Sequence, residues 1–260
     1  MHVKDKVIVV TGGANGIGAA LCRRFKHEGA RAIAVADLDE ENARRVAGEV
    51  GGLALRVDVA VEADIVRLVK ETEQQFGPID LFCSNAGVGY PDESIQMATS
   101  CSNENWQKAW EVNVMAHVYA ARAVLPAMIA RREGYLLNTV SAAGLLNQIG
   151  SASYSTTKHA AIGFAESLAI THGDDGIKVS VICPQAVATQ MLGDFKGGGP
   201  QGVDGVITPE QAAEAVIIGL AQETFLILTH EQVRLYMQRK NSDYDRWLSG
   251  MRRFRRSFLE

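Results

Sequence analysis

The chain has 260 residues, a net charge of −4 and 47% hydrophobic residues with only 6 prolines. Such a composition suits a folded protein with a sizeable apolar core and gives no electrostatic reason to expect nucleic acid or an anionic membrane as partner. No apolar run is long enough to span a bilayer, and the N-terminus lacks the apolar core and cleavage site of a secretory signal, so a soluble cytoplasmic protein is expected.

Short apolar runs at 6–10, 32–36, 54–57, 79–83, 135–140, 178–183 and 225–228 read as seven strands. They are rich in Val, Ile and Leu, as strands covered on both faces must be. Helix-like segments lie near 17–28, 39–49, 61–76, 103–131, 153–173 and 209–222. This alternation predicts an α/β fold: a Rossmann-like, doubly wound parallel seven-stranded sheet with helices on both faces. No linker or internal repeat divides the chain, so 1–260 reads as one domain, with 230–260 as its C-terminal helical extension. The extension carries Tyr236, Met237, Tyr244, Trp247, Leu248, Met251, Phe254 and Phe258. Such a surface needs cover, from its own domain, from the mouth of an active site or from a neighbouring subunit. The glycine-rich segment 193–205 reads as a mobile flap, with an inert surface loop as the alternative. Cys22, Cys83, Cys101 and Cys183 are scattered without metal-ligand spacing, and the histidines form no HxxxH pair, so no metal site is expected.

The first strand runs into Thr11-Gly12-Gly13-Ala14-Asn15-Gly16-Ile17-Gly18 and then a helix. Gly12, Gly16 and Gly18 permit a tight turn and close approach of backbone to a pyrophosphate, while the helix start offers free N–H groups. Asp37, followed by Leu38, ends the second strand where an adenosine ribose would lie. Its carboxylate would accept from both ribose hydroxyls and repel a 2′-phosphate, which favours NAD over NADP. The alternative is that Asp37 caps the following helix, a role open also to Asp39.

Tyr154 and Lys158 are four residues apart and share one helix face, with Ser141 upstream. An ammonium beside a phenol favours phenolate and makes a usable base.

With these motifs in order, the chain resembles the short-chain dehydrogenase/reductase family over nearly its whole length. Residues 11–18 look like its TGxxxGxG cofactor loop. Asp58-Val59 looks like its adenine-contacting pair, and Asn85-Ala86-Gly87 looks like the later part of its NNAG motif. Asn113, Ser141, Tyr154 and Lys158 match the catalytic tetrad. Ser84 replaces the first Asn of NNAG, and Gln185 stands where the family commonly has Gly after Pro184; Val187 and Thr189 follow, and Thr189 matches the position that contacts the nicotinamide carboxamide.

The resemblance implies NAD-dependent interconversion of a secondary alcohol and a ketone. Tyr154 would act as acid/base, Lys158 would lower its pKa and bind the nicotinamide ribose, Ser141 would hold the substrate oxygen, and Asn113 would position a water of a proton relay. It also implies a homo-oligomer, dimer or tetramer. Val88, Gly89, Tyr90, Ala143, Leu145, Leu146, Gln148 and Ile149 flank the strand ends, are mostly apolar, and point to a neutral hydrophobic substrate, cyclic or aromatic. The alternative is an NAD-binding regulatory or scaffold protein without turnover.

Overall fold

Strand β1, Val7–Thr11, is buried at all five positions and needs neighbours on both edges and layers on both faces. It finds parallel partners in β2 (Ala32–Asp37) and β4 (Leu81–Ser84). The computed structural model describes residues 1–193 and 199–259. With β3 (Leu53–Arg56), β5 (Gly134–Thr139), β6 (Ile177–Cys183) and β9 (Leu226–Leu228), these strands form a seven-stranded sheet in the order β3-β2-β1-β4-β5-β6-β9. Every pairing is parallel. Strand order reverses between β1 and β4, and a crevice opens beyond their C-terminal ends at that point.

Alternate strand residues feed two apolar layers. On one face Ile8, Val10 and Leu137 pack with Leu21, Phe25 and Leu220, from helices α1 (Gly16–His27) and α8 (Pro209–Gln222). Helix α2 (Glu40–Val50) completes that layer through Val46 and Val50. On the other face Val9, Phe82, Leu136 and Val181 meet α3 (Glu62–Phe76), α5 (Ala116–Arg131) and α7 (Ala152–His172). The seven strands fall within one or two residues of those read from the sequence.

Segment 103–131 differs from a plain helix. It comprises α4 (Asn103–Trp110), a π-helical turn over Glu111–Met115, and α5. By length and composition Asn103–Arg131 is apolar enough to cross a membrane, against the expectation that no segment is, but half of its most apolar stretch is buried inside the protein. Val112, Ala116, Ala120 and Val124 supply part of that burial against the sheet, as a core helix does. A second, two-stranded parallel sheet, β7 (Ala186–Val187) with β8 (Val206–Ile207), was not signalled by such short runs. Most of the segment read as a flap lies around it, but residues 194–198 fall outside the described residues.

The C-terminal extension forms α9 (Gln232–Ser242) and α10 (Tyr244–Arg256). Part of this surface is covered by its own chain, while Tyr244, Leu248 and Phe258 remain exposed. Val233, Tyr236, Met237 and Trp247 cluster with Ala142, Leu145 and Leu146, the last two on the short helix α6 (Ala143–Leu146). Lys240 Nζ donates to the Leu145 carbonyl at 2.7 Å, and Arg255 donates to that of Ile95 at 3.2 Å. Asp243 starts α10 by accepting from the Arg246 N–H at 2.9 Å. No residue of α10 is fully buried, so this cap is a large part of what holds its start. Asp243→Ala is expected to cost about 1 kcal/mol locally; amide exchange should quicken across 244–256 while the global melting midpoint stays put.

Candidate active site

Strand β1 ends in the glycine loop at the crevice. Gly12 holds φ +63°, and a β-carbon there would lie 2.8 Å from Ala86 Cα. At Gly18 one would overlap the Gly12 carbonyl oxygen and the Asn85 amide. The loop is therefore folded down to backbone thickness. Asn85 holds it there: Nδ2 donates to the carbonyls of Thr11 and Gly12 at 3.1 and 3.2 Å, while Oδ1 accepts from Thr139 Oγ1 at 3.0 Å. Thr11 Oγ1 accepts from the backbone N–H groups of Asn85 and Ala86, so β1, β4 and β5 share one polar knot. Ser84 is buried on β4 below this knot, which Asn85 and Thr11 tie without an asparagine at 84.

Helix α1 begins in that loop with no side-chain cap on Asn15 and no acidic residue in its first turn. By contrast α2, α3, α4 and α8 all carry acids in their first turns. The start of α1 thus presents free N–H donors and an uncompensated positive dipole end, which fit a pyrophosphate. Asp37 Oδ2 accepts from the Ala14 N–H at 3.0 Å, which fixes its carboxylate beside the loop. Asp39, accepting from Asn42 N–H, caps α2, so the capping alternative for Asp37 falls away. Leu38, next to it, is 51% exposed. Farther along the sheet edge Asp58 accepts from Ala60 N–H at 3.0 Å, and Val59 is buried in the core.

A cleft of about 590 Å³ opens between Asn15 and Gly16 on one side and Ala188, Thr189 and Gln190 on the other. A β-carbon at Gly16 would lie 3.0 Å from Thr189 Cγ2, so the loop after β7 stands directly against the phosphate cradle. Pro184 anchors that loop: its carbonyl accepts from the Ala142 N–H at 2.7 Å and from Ser141 Oγ at 3.3 Å. Val187 is buried, Ile17 packs against the core of the α1 layer, and Gln185 keeps a buried Oε1 with no hydrogen-bond partner.

The four residues of the tetrad converge on the other side of the crevice. Lys158 is 2% exposed, and its Nζ donates to the Thr139 carbonyl at 3.1 Å. That nitrogen lies 5.5 Å from the Tyr154 ring centroid, on the preceding turn of α7. Ser141 Oγ accepts from the Ala143 N–H at 3.0 Å, and its hydroxyl favours ionisation of the Tyr154 phenol. Asn113 sits in the π-helical turn, a form that recurs at functional sites. Its Oδ1 accepts from Val88 N–H at 3.0 Å, and Nδ2 donates to the Val88 carbonyl at 2.9 Å and to Thr157 Oγ1 at 3.1 Å. Both amide donors are thereby used, and Asn113 fixes the loop after β4 to α7. A β-carbon at Gly87 would be 3.4 Å from both Asn113 Oδ1 and Lys158 Nζ, so this loop also runs at backbone thickness past the lysine.

One electrostatic effect opposes the base expected at Tyr154. Burial raises the Tyr154 phenol above its ordinary value, and the Ser141 hydroxyl offsets only part of this. Desolvation is the largest effect on the phenol, and the Lys158 ammonium stands 5.5 Å from the ring centroid. The ammonium is penalised as well: burial brings Lys158 down to about 8 from an ordinary 10.5.

Several residues that the motifs did not single out hold the site. Thr139 supplies the carbonyl for Lys158, and Thr157 carries part of Asn113. The Asp92 carboxylate accepts from the Ala152 N–H at the start of α7, and Ser151 Oγ donates to the Tyr90 carbonyl at 2.7 Å. Met191 reaches within 4.0 Å of β-carbons built at Gly87 and Gly89, and Gly89 also abuts the Tyr154 ring. None of these has a local signature, because each contact joins segments far apart in the chain.

A nucleotide cradle and a buried Tyr–Lys pair on a doubly wound sheet define a dinucleotide-linked oxidoreductase. The chain belongs to the short-chain dehydrogenase family, whose model matches residues 6–197. It is 33% identical over 260 residues to 1-deoxy-11-beta-hydroxypentalenate dehydrogenase of Streptomyces exfoliatus, covering 96% of this chain and 92% of that protein. Meso-2,3-butanediol dehydrogenase of Serratia marcescens is 29% identical, over 86% of this chain and 84% of its own length. Among solved structures, a short chain dehydrogenase/reductase from Burkholderia phymatum in complex with NAD has a TM-score of 0.84 at 24% identity, covering 94% of this chain and 96% of that one. A 3-ketoacyl-(acyl-carrier-protein) reductase from Brucella melitensis complexed with NADH has a TM-score of 0.79 at 26% identity, over 87% and 97% of the two chains.

A depressed lysine gives a signed prediction. Between about 8 and 10.5 the unfolded chain holds a proton that folded Lys158 has released, so this group makes stability rise with pH across that window. Lys158→Met should remove that slope and raise the thermal midpoint at pH 7 by removing a buried charge; a lowered midpoint would show that the ammonium is stabilised by its surroundings after all.

Proposed function

We propose that the protein is an NAD-dependent dehydrogenase that interconverts a secondary alcohol and a ketone, acting on a neutral, largely hydrophobic substrate. The observation that carries this reading is the convergence of Ser141, Tyr154 and buried Lys158 beside a phosphate cradle of backbone thickness. In this reading the loop 12–18 and the start of α1 hold the pyrophosphate, and the Asp37 carboxylate receives the adenosine ribose hydroxyls. Asp58, Val59, Asn85, Ala86 and Gly87 border the adenosine side, while Pro184, Val187 and Thr189 border the nicotinamide. NAD, when bound, accepts the hydride.

The protein's own part is to orient the substrate and move a proton. Ser141 Oγ holds the substrate oxygen and steadies charge that develops on it. Tyr154 Oη takes the hydroxyl proton in oxidation and returns it in reduction. Lys158 favours the tyrosinate and offers its remaining N–H donors to the cofactor ribose. Its Coulomb effect must overcome the desolvation of the phenol, and a second positive charge nearby would work in the same direction.

The preference for NAD rests on a carboxylate fixed at Asp37, close to where a 2′-phosphate would stand. The substrate reading rests on the apolar rim: Leu145 and Leu146 on α6, backed by Tyr236, Met237 and Trp247. Both named relatives are dehydrogenases of hydroxylated compounds, which supports the reaction class. We also propose a homo-oligomer, as the family resemblance implies, and a cytoplasmic enzyme; sedimentation measures the former directly.

Tyr154→Phe should bind NAD as the parent does and lose turnover by about 10²- to 10⁴-fold, followed as NADH absorbance against a panel of secondary alcohols. Turnover near the parent rate would remove Tyr154 from proton transfer, and tight NAD binding without turnover of any alcohol or ketone would favour the regulatory alternative. Asp37→Ser should lower the ratio of kcat/KM for NAD over NADP by at least about tenfold, the equivalent of one lost ionic repulsion; an unchanged ratio would place cofactor discrimination elsewhere.

A further inference from the structure

His117 lies one helical turn beyond Asn113, on the face of α5 that meets the sheet, and is 2% exposed. Neither of its ring nitrogens has a hydrogen-bond partner. Across from it, on β5, Asn138 is 3% exposed and its Nδ2 is likewise unpartnered. The two side chains are near enough for the amide to favour the protonated ring slightly, yet they do not meet in hydrogen-bond geometry. The residue after Asn138 is Thr139, whose carbonyl receives Lys158 Nζ at 3.1 Å. Three orphaned nitrogens and a lysine head with a single protein acceptor thus share one layer between α5, β5 and α7.

Buried polar atoms without partners are rare, and each costs about 1–3 kcal/mol. A buried water with two to four polar neighbours is the usual remedy. One water can serve the lysine head and two of the three orphaned nitrogens. Such a water accepts from Lys158 Nζ and Asn138 Nδ2 and donates to the lone pair of a neutral imidazole. The imidazole is neutral: desolvation first, then the Lys158 charge, brings it down to about 4. The ring thus feels the Lys158 charge.

We infer that His117 is a positioning residue for Lys158: with Asn138 it holds a buried water that keeps the ammonium charged and aimed at Tyr154. The inference rests on the proton-transfer role proposed above for Tyr154 and Lys158. It adds a group on the inner side of the lysine, away from the cleft. Among the described residues, the charged and titratable groups that face Lys158 are few. Tyr154 is on the same helix, and Cys183 is on β6, where burial pushes its thiol up to about 12, so it stays uncharged over the working range. Asn113 and Asn138 do not titrate. A change at His117 is therefore read through Lys158.

The test is the pH dependence of kcat for NAD-linked alcohol oxidation by the full-length protein, from pH 6 to 10.5. His117→Leu removes the acceptor, so the alkaline limb should move to lower pH by about one unit, with NAD affinity held within about twofold of the parent. His117→Asn keeps a polar acceptor and should return the limb towards its parental position. Asn138→Leu, which leaves the imidazole in place, should move the limb in the same direction as His117→Leu and serves if that variant does not fold. An alkaline limb that stays in place in the leucine variants, whatever happens to melting temperature or absolute rate, overturns the inference while leaving the Tyr154 reading intact. Turnover by Tyr154→Phe at the parental rate overturns both.

Discussion

A primary ammonium enclosed at 2% exposure is the constraint around which the rest of the structure is arranged. Helix α7, which carries Lys158, packs into an apolar layer that includes Ala116, Ala120, Ala161 and Ala165. The ammonium needs a buried acceptor, which the end of β5 supplies in the Thr139 carbonyl. It needs a loop without side chains passing by, which Gly87 supplies. Each provision is a weak point for folding and, in the proposed mechanism, serves proton transfer. The usual tension between stability and activity is concentrated here in one side chain.

The architecture was readable because parallel strands buried on both faces leave an unmistakable pattern of short apolar runs, and β1 with five buried residues is the clearest case. The cradle was readable because backbone thickness demands glycine, so Gly12, Gly16 and Gly18 mark themselves. Tyr154 and Lys158 were readable because helical spacing makes them neighbours. Other features escaped for equally physical reasons. A π-helical turn at 111–115 has no compositional mark, since its extra residue shows only in the hydrogen bonding. The two-residue strands β7 and β8 are too short to carry a period. The sign of the Tyr154 shift depends on how much desolvation accompanies the ammonium, a quantity set by packing and invisible in spacing.

The functional asparagine illustrates the same limit. Sequence placed Asn113 at the site, but only the three hydrogen bonds to Val88 and Thr157 reveal what its side chain does. It ties the loop that follows β4 to the helix that bears Tyr154 and Lys158. His117, one turn later, was unremarkable as a letter and becomes informative only through its unpartnered nitrogens.

The packing of α9 and α10 on α6 has an evolutionary consequence. The groups to which we assign proton transfer come from α7, the end of β5 and the turn before α5, whereas much of the apolar rim over Leu145 and Leu146 comes from residues 233–247. Chemistry and admission are thus written in separate stretches of the gene. A lineage can exchange or redraw its last thirty or so residues and present the same catalytic apparatus to a new set of molecules, and a chimaera joined within the β9–α9 connection would be the laboratory counterpart of that history.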